Sequence, residues 1–457
     1  MSSTKYQTDY EIDKLTLVTP TASSPVNMKP YMLEFSLFED IFANSISGHL
    51  LISDALGLVP EFRLNGTEFI NVVFRKNSQD TQGNIARTFR IYSISDRYVN
   101  PGNNYENYKL NFCSEELLVS EKYRISKSYK SKTISQIVQD VVNRYLKLGD
   151  KKATIEPTTG TYDFVLPNKK IFETINWLST YALPSKNTGA DMLFFENVDG
   201  FWFKSLQSLY TQNPYVTYYY NPKNVSPDMQ YKYTNIVNLD ILDSFDMLRA
   251  SSSGTFANRL VSIDPITRTY TTTDFNYDEY YKKSTKLNKS SVTNNYTDRI
   301  GKMVFDSPPN DLQAGQLKVC VTNSNQRLNS YIKNKPEAVK SDMFVEKALP
   351  NRKAQLLLAN YSRIKITVPG NAKLSVGMTL NVVVPRMAAD TYTKVSNPVQ
   401  RDNDPQLSGK YLITAVRHII DPKSYFTVLE LSKDSFEKPV PGVTSTWKQL
   451  ADGIQIT

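Results

Sequence analysis

Leu407-Ser-Gly-Lys-Tyr-Leu-Ile-Thr-Ala-Val-Arg-His-Ile-Ile-Asp421, followed by Tyr425-Phe-Thr-Val-Leu-Glu-Leu-Ser432, reads as two β-strands around a turn at Asp421-Pro-Lys-Ser424. Successive side chains of a strand point to opposite faces. The first strand therefore sets Tyr411, Ile413, Ala415 and Arg417 on one face, and Leu412, Thr414, Val416 and His418 on the other. The second sets Phe426, Val428 and the aliphatic part of Glu430 against Tyr425, Thr427, Leu429 and Leu431. Immediately upstream, Gly370-Asn-Ala-Lys-Leu-Ser-Val-Gly-Met-Thr-Leu-Asn-Val-Val-Val-Pro385 supplies a turn, a Gly-marked bend and a further apolar strand.

The same alternation fills residues 1–118. Leu33, Phe35 and Leu37 share one face of the run Met32 to Phe38, with Glu34 and Ser36 on the other. Runs at Ile46–Ile52, Phe69–Phe74, Thr88–Ile94 and Tyr108–Phe112 follow, separated by polar turns. Short half-buried strands at this spacing predict a small, closed or nearly closed sheet. Helical periodicity begins at Thr133, where Ile134, Ile137, Val138, Val141, Tyr145 and Leu148 fall on one face. Thr133 with Gln136 fits a capping box, and Gly149 fits the residue just past the helix end. A second helix is expected from Lys169 to Ala182, then a hairpin around Glu196–Asp199. Strand character returns at Ile236–Asp243 and Gly254–Tyr270, and a helix near Ala348–Tyr361 feeds a strand at Ile364–Val368. Residues 286–342 are poor in apolar periodicity and read as a long excursion with little core of its own.

The expected fold is mainly β, α+β overall. It divides into a first β-unit at 1–118, an α+β insert at 119–231, a second β-unit in two parts at 232–285 and 352–437, a long insertion at 286–351, and a C-terminal arm at 438–457. In the arm, Pro439, Pro441 and Gly442 break the last strand, and Trp447, Leu450, Ile454 and Ile456 suit a segment that orders on a partner.

Composition narrows the function. Of 457 residues, 40% are apolar and 12% aromatic, led by 29 Tyr, a residue suited to sheet surfaces and subunit contacts. No run approaches the ~18 apolar residues of a membrane span, and the polar N-terminus has no apolar signal-peptide core, so cytosolic synthesis is expected. Cys113 and Cys320 make neither a disulfide framework nor a zinc spacing. Net charge is +9, yet residues 1–118 carry 10 Lys+Arg against 14 Asp+Glu. A uniformly basic nucleic-acid binder would not divide its charge in this way. The basic excess includes Lys122-Tyr-Arg-Ile-Ser-Lys-Ser-Tyr-Lys-Ser-Lys132, read as a solvated face or one turned to an acidic neighbouring protein.

The order of turn, bend and strands over Ser362–Leu431 resembles the closing strands of the baseplate hub proteins of contractile-tailed bacteriophages. A related pattern belongs to the N-terminal hub part of type VI secretion spike proteins. Gly48–Gly57, leading to Leu64-Asn-Gly-Thr-Glu68, is similar to the same family. The resemblance implies two tail-tube-like β-barrels flanking the α+β insert, and a homotrimer whose six barrels match a three-fold spike to a six-fold tube. It also implies a structural virion role in the tail baseplate, joining the tail tube or its initiator to the central spike. Tape measure and DNA would pass through its channel, and baseplate wedge proteins would be neighbours. DNA would only pass through.

No catalytic, cofactor-binding or metal-binding residue is expected. His49 and His418 lie in separate strands, neither with a partnered base arrangement, and His418 reads as a strand-end polar residue. Phosphate-binding glycine patterns and Gly-x-Ser-x-Gly are absent. The carboxylate pairs Glu115–Glu116, Asp274 with Asp278–Glu279, and Asp402 with Asp404 read as solvated turns rather than a glycosidase pair. The rival readings are another tube-like baseplate or tail-tube initiator protein, and a cell-wall hydrolase or glycan-binding adhesin carried on β-modules.

Overall fold

The computed structural model describes residues 10–76, 84–220, 233–291, 317–321, 345–386 and 403–438, apart from 101, 103–104, 147, 150, 187–188, 245, 256, 265–267 and 277–282. The C-terminal arm beyond residue 438, with Trp447, lies outside the described residues.

The Gly409–Asp421 strand is the joint of the molecule. Along one side it pairs with Ser424–Lys433 through the turn read from the sequence, with Asp421 opposite Ser424. Asp421 Oδ1 accepts the Lys423 and Ser424 backbone N–H groups, closing that turn. Along its other side the strand changes partner. Residues 409–412 pair with Thr379–Val383, whereas residues 415–420 pair with Met32–Asp40 from the other end of the chain. The change falls at a bulge between Ile413 and Ala415. There the Thr414 carbonyl accepts Ile41 N–H and its hydroxyl donates to the Glu430 carbonyl. A bulge inserts one residue and re-aims those beyond it. The strict alternation expected across this strand is therefore broken. Tyr411, Leu412, Ile413 and Thr414 are all buried up to the bulge, and beyond it Val416, His418 and Ile420 alternate with half-buried residues.

Through that joint the β-units form one 13-stranded sheet. From one end it runs Asn238–Asp243, Ser362–Pro369, Ser424–Lys433, Gly409–Asp421, Met32–Asp40, Ser47–Asp54, Tyr105–Cys113, Asn84–Asn100, Phe69–Lys76, Tyr10–Val18 and Val26–Asn27. Thr379–Val383 and then Thr217–Tyr219 branch from the Gly409 strand. Two apolar cores lie along this sheet. One packs Phe35, Leu50, Phe74, Phe89 and Phe112 with Ile420 and Tyr425. The other packs Ile364, Leu380, Tyr411, Ile413 and Leu429 with Leu193 and Phe195 from the insert. Tyr10 Oη donates to the Asp421 carbonyl at 2.6 Å, so the Tyr10–Val18 strand curls back to the joint around the first core.

Gly48 marks how closely that core is packed. It lies opposite Leu37 on one neighbour and Phe112 on the other. A Cβ there would run into the Ser36 carbonyl oxygen and the Phe112 ring, which itself stacks on Phe35 with centroids 5.3 Å apart. Gly48→Ala is expected to cost about 1–3 kcal/mol by overpacking. Urea unfolding measures it, and an unchanged midpoint would mean that the sheet yields there freely.

The insert has its own core of helices against sheet. Thr133 and Gln136 form the expected capping box. The regular helix is shorter than its apolar stripe: it covers Ile134–Val141 and continues as π-helical turns over Val142–Leu146. The second helix covers Ile171–Ser179, while Lys169–Lys170 pair as a short strand with Arg124–Ile125. The hairpin is Met192–Asn197 with Gly200–Ser205, and Asn197 Oδ1 closes it by accepting Asp199 N–H, Gly200 N–H and Trp202 Nε1–H. The Ala257–Asp264 and Thr269–Asn276 hairpin, expected to continue the second β-unit, forms a separate three-stranded sheet with Leu317–Val321. Tyr270 and Thr272 of that hairpin are exposed. Within the predicted excursion, Leu287 is buried in the second core and Ser290–Ser291 pair with Ser435–Phe436.

Candidate assembly interface

The side chains tested for chemistry do not converge. Glu115 opens the Glu115–Lys122 helix and is exposed, but Glu116 is buried and not solvated as expected. Lys151 Nζ lies 2.6 Å from Glu116 Oε2 and 2.7 Å from Glu196 Oε1, so the pair is structural. Asp274 is held by Arg259 across the hairpin, which lowers its pKa. Asp278, Glu279 and Asp402 lie outside the described residues, and Asp404 accepts the Gln406 and Leu407 N–H groups of a turn. His418 is fully buried rather than a strand-end polar group. The Tyr425 hydroxyl is 2.9 Å from its Nδ1, and burial pushes its pKa down to about 4. It is an uncharged core residue. His49 Nε2 lies 3.3 Å from Glu34, which also pairs with Arg417 at 2.9 Å. Cys113 is a buried free thiol whose pKa burial raises to about 11. Among the described residues no group of His, Cys, Asp and Glu could hold a metal ion, and no helix is long and apolar enough to cross a membrane.

Polar chemistry is instead buried where the parts meet. Glu39 is 1% exposed, and its Oε2 accepts Ser375 Oγ–H at 2.7 Å and Val376 N–H at 3.0 Å. Burial raises its pKa to about 7. Glu196 of the insert accepts Ile46 N–H of the first β-unit at 3.0 Å. Arg87 of the same unit donates to the Val198 carbonyl in the insert hairpin. Sequence reading missed all three. Glu39 alone carried a signal, since it shares the inward parity of Phe35 and Leu37.

Two outer surfaces suit assembly. The Asn238–Asp243 strand ends the large sheet and pairs only with Ser362–Pro369 among the described residues. Val237, Ile241 and Leu242 are exposed beside it, with Ile241 at 53%. Lys365 reaches Asp240 at 2.8 Å, and Arg363 bridges Asp243 and Glu430. Such exposed pairs add little stability but fix register. An edge strand with free backbone groups and apolar side chains is a ready template for another chain. The second surface is on the insert. Strands within 124–132 pair antiparallel with strands within 162–170 as a ribbon. Ile125, Tyr129, Tyr162, Phe164 and Leu166 face inward, while Arg124, Lys130, Lys132 and Val165 are exposed. The basic stretch singled out in the sequence is thus one outer face, and Asp163 on that face weighs against a phosphate backbone as its partner.

No family model matches the chain. A probable baseplate hub protein of Vibrio phage KVP40 is 23% identical over 407 residues, covering 85% of this chain and 87% of that protein. The chain resembles a phage baseplate hub protein. Its fold is also that of tail proteins. A tail protein from Neisseria meningitidis MC58 superimposes with a TM-score of 0.52 at 11% identity, covering 92% of this chain and 97% of that one. The 43 kDa tail protein of prophage MuSo2 from Shewanella oneidensis gives 0.52 at 8% identity, with 93% and 99% covered. The mainly β architecture is therefore shared with these tail proteins over 92–93% of the chain.

Proposed function

We propose that the chain is a structural hub of a contractile phage tail baseplate, in the virion. The observation that carries this reading is the similarity to a probable baseplate hub protein over 407 residues, spanning sheet and insert alike. The buried polar groups support a structural reading, because they link separate parts of the fold. In this reading three copies form a ring whose two tube-like β-units per chain, 1–118 and 232–437 less the insertion, face the tail tube or its initiator. The central spike is held on the other side. Tape measure and DNA pass through the ring, and wedge proteins surround it. The acidic first unit faces the passage, where like charge prevents sticking. The basic ribbon of the insert faces outward, to neighbouring proteins.

Imaging the assembled tail tests this directly: three copies around a central channel are expected. A monomer in solution that is also a single copy in the particle would sink the trimer. The open edge gives a narrower test. Ile241→Lys is expected to weaken self-association at least ~10-fold, as charge on an edge strand opposes pairing. Sedimentation of the full chain measures it, and unchanged association would move the interface elsewhere.

A further inference from the structure

The open Asn238–Asp243 edge ends at a cleft of about 150 Å³. The cleft lies between the Met247–Ser253 helix that follows the edge, the end of the Val345–Leu358 helix, and Arg363 of the neighbouring strand. A cavity of about that volume holds a benzene-sized ring. Apolar surface leads up to it. Val237, Ile241 and Leu242 are exposed along the edge, and Leu248 on the short helix is 84% exposed.

The lining says what fits. Two guanidinium groups, Arg249 and Arg363, and two carboxylates, Asp243 and Asp246, share the cleft with Leu357 and Tyr361. Asp243 and Glu430 hold the Arg363 guanidinium from two sides. The carboxylates oppose a phosphate and the guanidinium groups oppose a metal ion. An aromatic ring that carries an N–H suits both. Guanidinium groups are attracted to the face of a ring, that of Trp above all. Asp246 and Thr255 offer oxygens to an indole N–H.

The chain has three Trp. Trp177 packs on Phe164 and Tyr181 inside the insert, and Trp202 donates to Asn197. The third is Trp447, in the C-terminal arm. The run Val443-Thr-Ser-Thr-Trp447 has no Gly or Pro and is rich in β-branched residues, a composition suited to adding a strand to an edge. The arm leaves the fold close to the cleft, because Phe436 packs in one cluster with Leu358 and Tyr361. Pro439 and Pro441 favour an extended chain of about 3.1 Å per residue, so Lys438 to Gly442 spans about 15 Å and carries the strand-prone run past its own cleft.

We infer that the arm of a second copy docks here, with Val443–Trp447 along the Asn238–Asp243 edge and the Trp447 indole in the cleft between Arg249 and Arg363. The inference rests on self-association through this edge and names the segment that fills it.

Sedimentation of the full chain tests it. Trp447→Ala is expected to raise the dissociation constant of self-association at least ~10-fold and to leave the unfolding midpoint unchanged. Arg249→Ala should raise that constant about 2- to 5-fold. Placement is read separately by mixing a Ser253→Cys chain with a Thr446→Cys chain. A short bis-maleimide should then join the two copies in a yield that neither variant gives alone. Failure to join them overturns the inference, and so does a chain with both substitutions that cross-links only within itself, since its own arm would then fill the cleft. Unchanged association of Trp447→Ala also overturns it, while leaving the edge as the interface. A wild type that stays monomeric at every concentration removes the edge reading and this inference together. Should Trp447→Ala fail to fold, the cross-link decides alone.

Discussion

Lys151→Met is expected to destabilise the chain by about 3–5 kcal/mol, because it removes the cation held between two buried carboxylates. The Glu116 and Glu196 side chains are 7% and 1% exposed, and Lys151 Nζ bridges them at 2.6 and 2.7 Å. Burial raises the pKa of Glu196, and Lys151 acts against that rise. Without the ammonium, one carboxylate must take up a proton or the site must open to water. Glu196 also accepts Ile46 N–H, so opening here loosens the insert from the first β-unit rather than a surface loop. Guanidinium unfolding measures the loss. Hydrogen exchange at Ile46 should rise with it. Replacing Glu116 and Glu196 by Gln in the same protein should recover much of the stability, since neutral amides do not repel. A loss below about 1 kcal/mol would mean that water already reaches the triad and screens it.

The legible parts of this fold are those governed by local pattern. The Asp421–Ser424 turn follows from an Asp that caps two backbone N–H groups and a Pro between two alternating runs. The Thr133 capping box follows from two residue types three positions apart. Sheet continuity was not legible. That residues 415–420 pair with Met32–Asp40 depends on a contact between ends of the chain, and many strands here carry the same alternation. The bulge at Thr414 was equally hidden, because Leu412 and Thr414 look like members of one face until a partner strand changes beside them. His418 was misjudged for another reason: it continues the buried face of Leu412, Thr414 and Val416, and its polar ring is accommodated there by the Tyr425 hydroxyl. The polar junctions defeat composition arguments altogether. A Glu or Lys in sequence looks solvated; apart from the inward parity of Glu39, only the packing of separate segments shows that Glu39 and Glu196 are buried and that Lys151 lies between carboxylates.

Glu39→Gln is expected to become stabilising as pH rises. The Glu39 carboxyl accepts two hydrogen bonds on Oε2 and lies beside the Val198 backbone, and burial raises its pKa from 4.5 to about 7 with nearby Glu196 adding to the rise. Below pH 4.5 the group is protonated in both folded and unfolded chains and costs nothing. Between 4.5 and about 7 the unfolded chain ionises freely, whereas the folded chain keeps the proton, so stability falls with rising pH. The full difference corresponds to at most about 3 kcal/mol, at 1.36 kcal/mol per pH unit. Gln retains an oxygen for Ser375 and Val376 and cannot ionise. The variant should therefore match wild type near pH 4.5 and exceed it by up to ~3 kcal/mol at pH 7.5. Taking the difference between the two proteins cancels the opposite trends of Asp140, Glu34 and Asp421, whose pKa values are lowered. Denaturant midpoints of both proteins across that range measure the effect. A difference independent of pH would mean that Glu39 is already ionised in the fold and compensated there, and that the junction between the two β-units is held by charge rather than by a neutral acid.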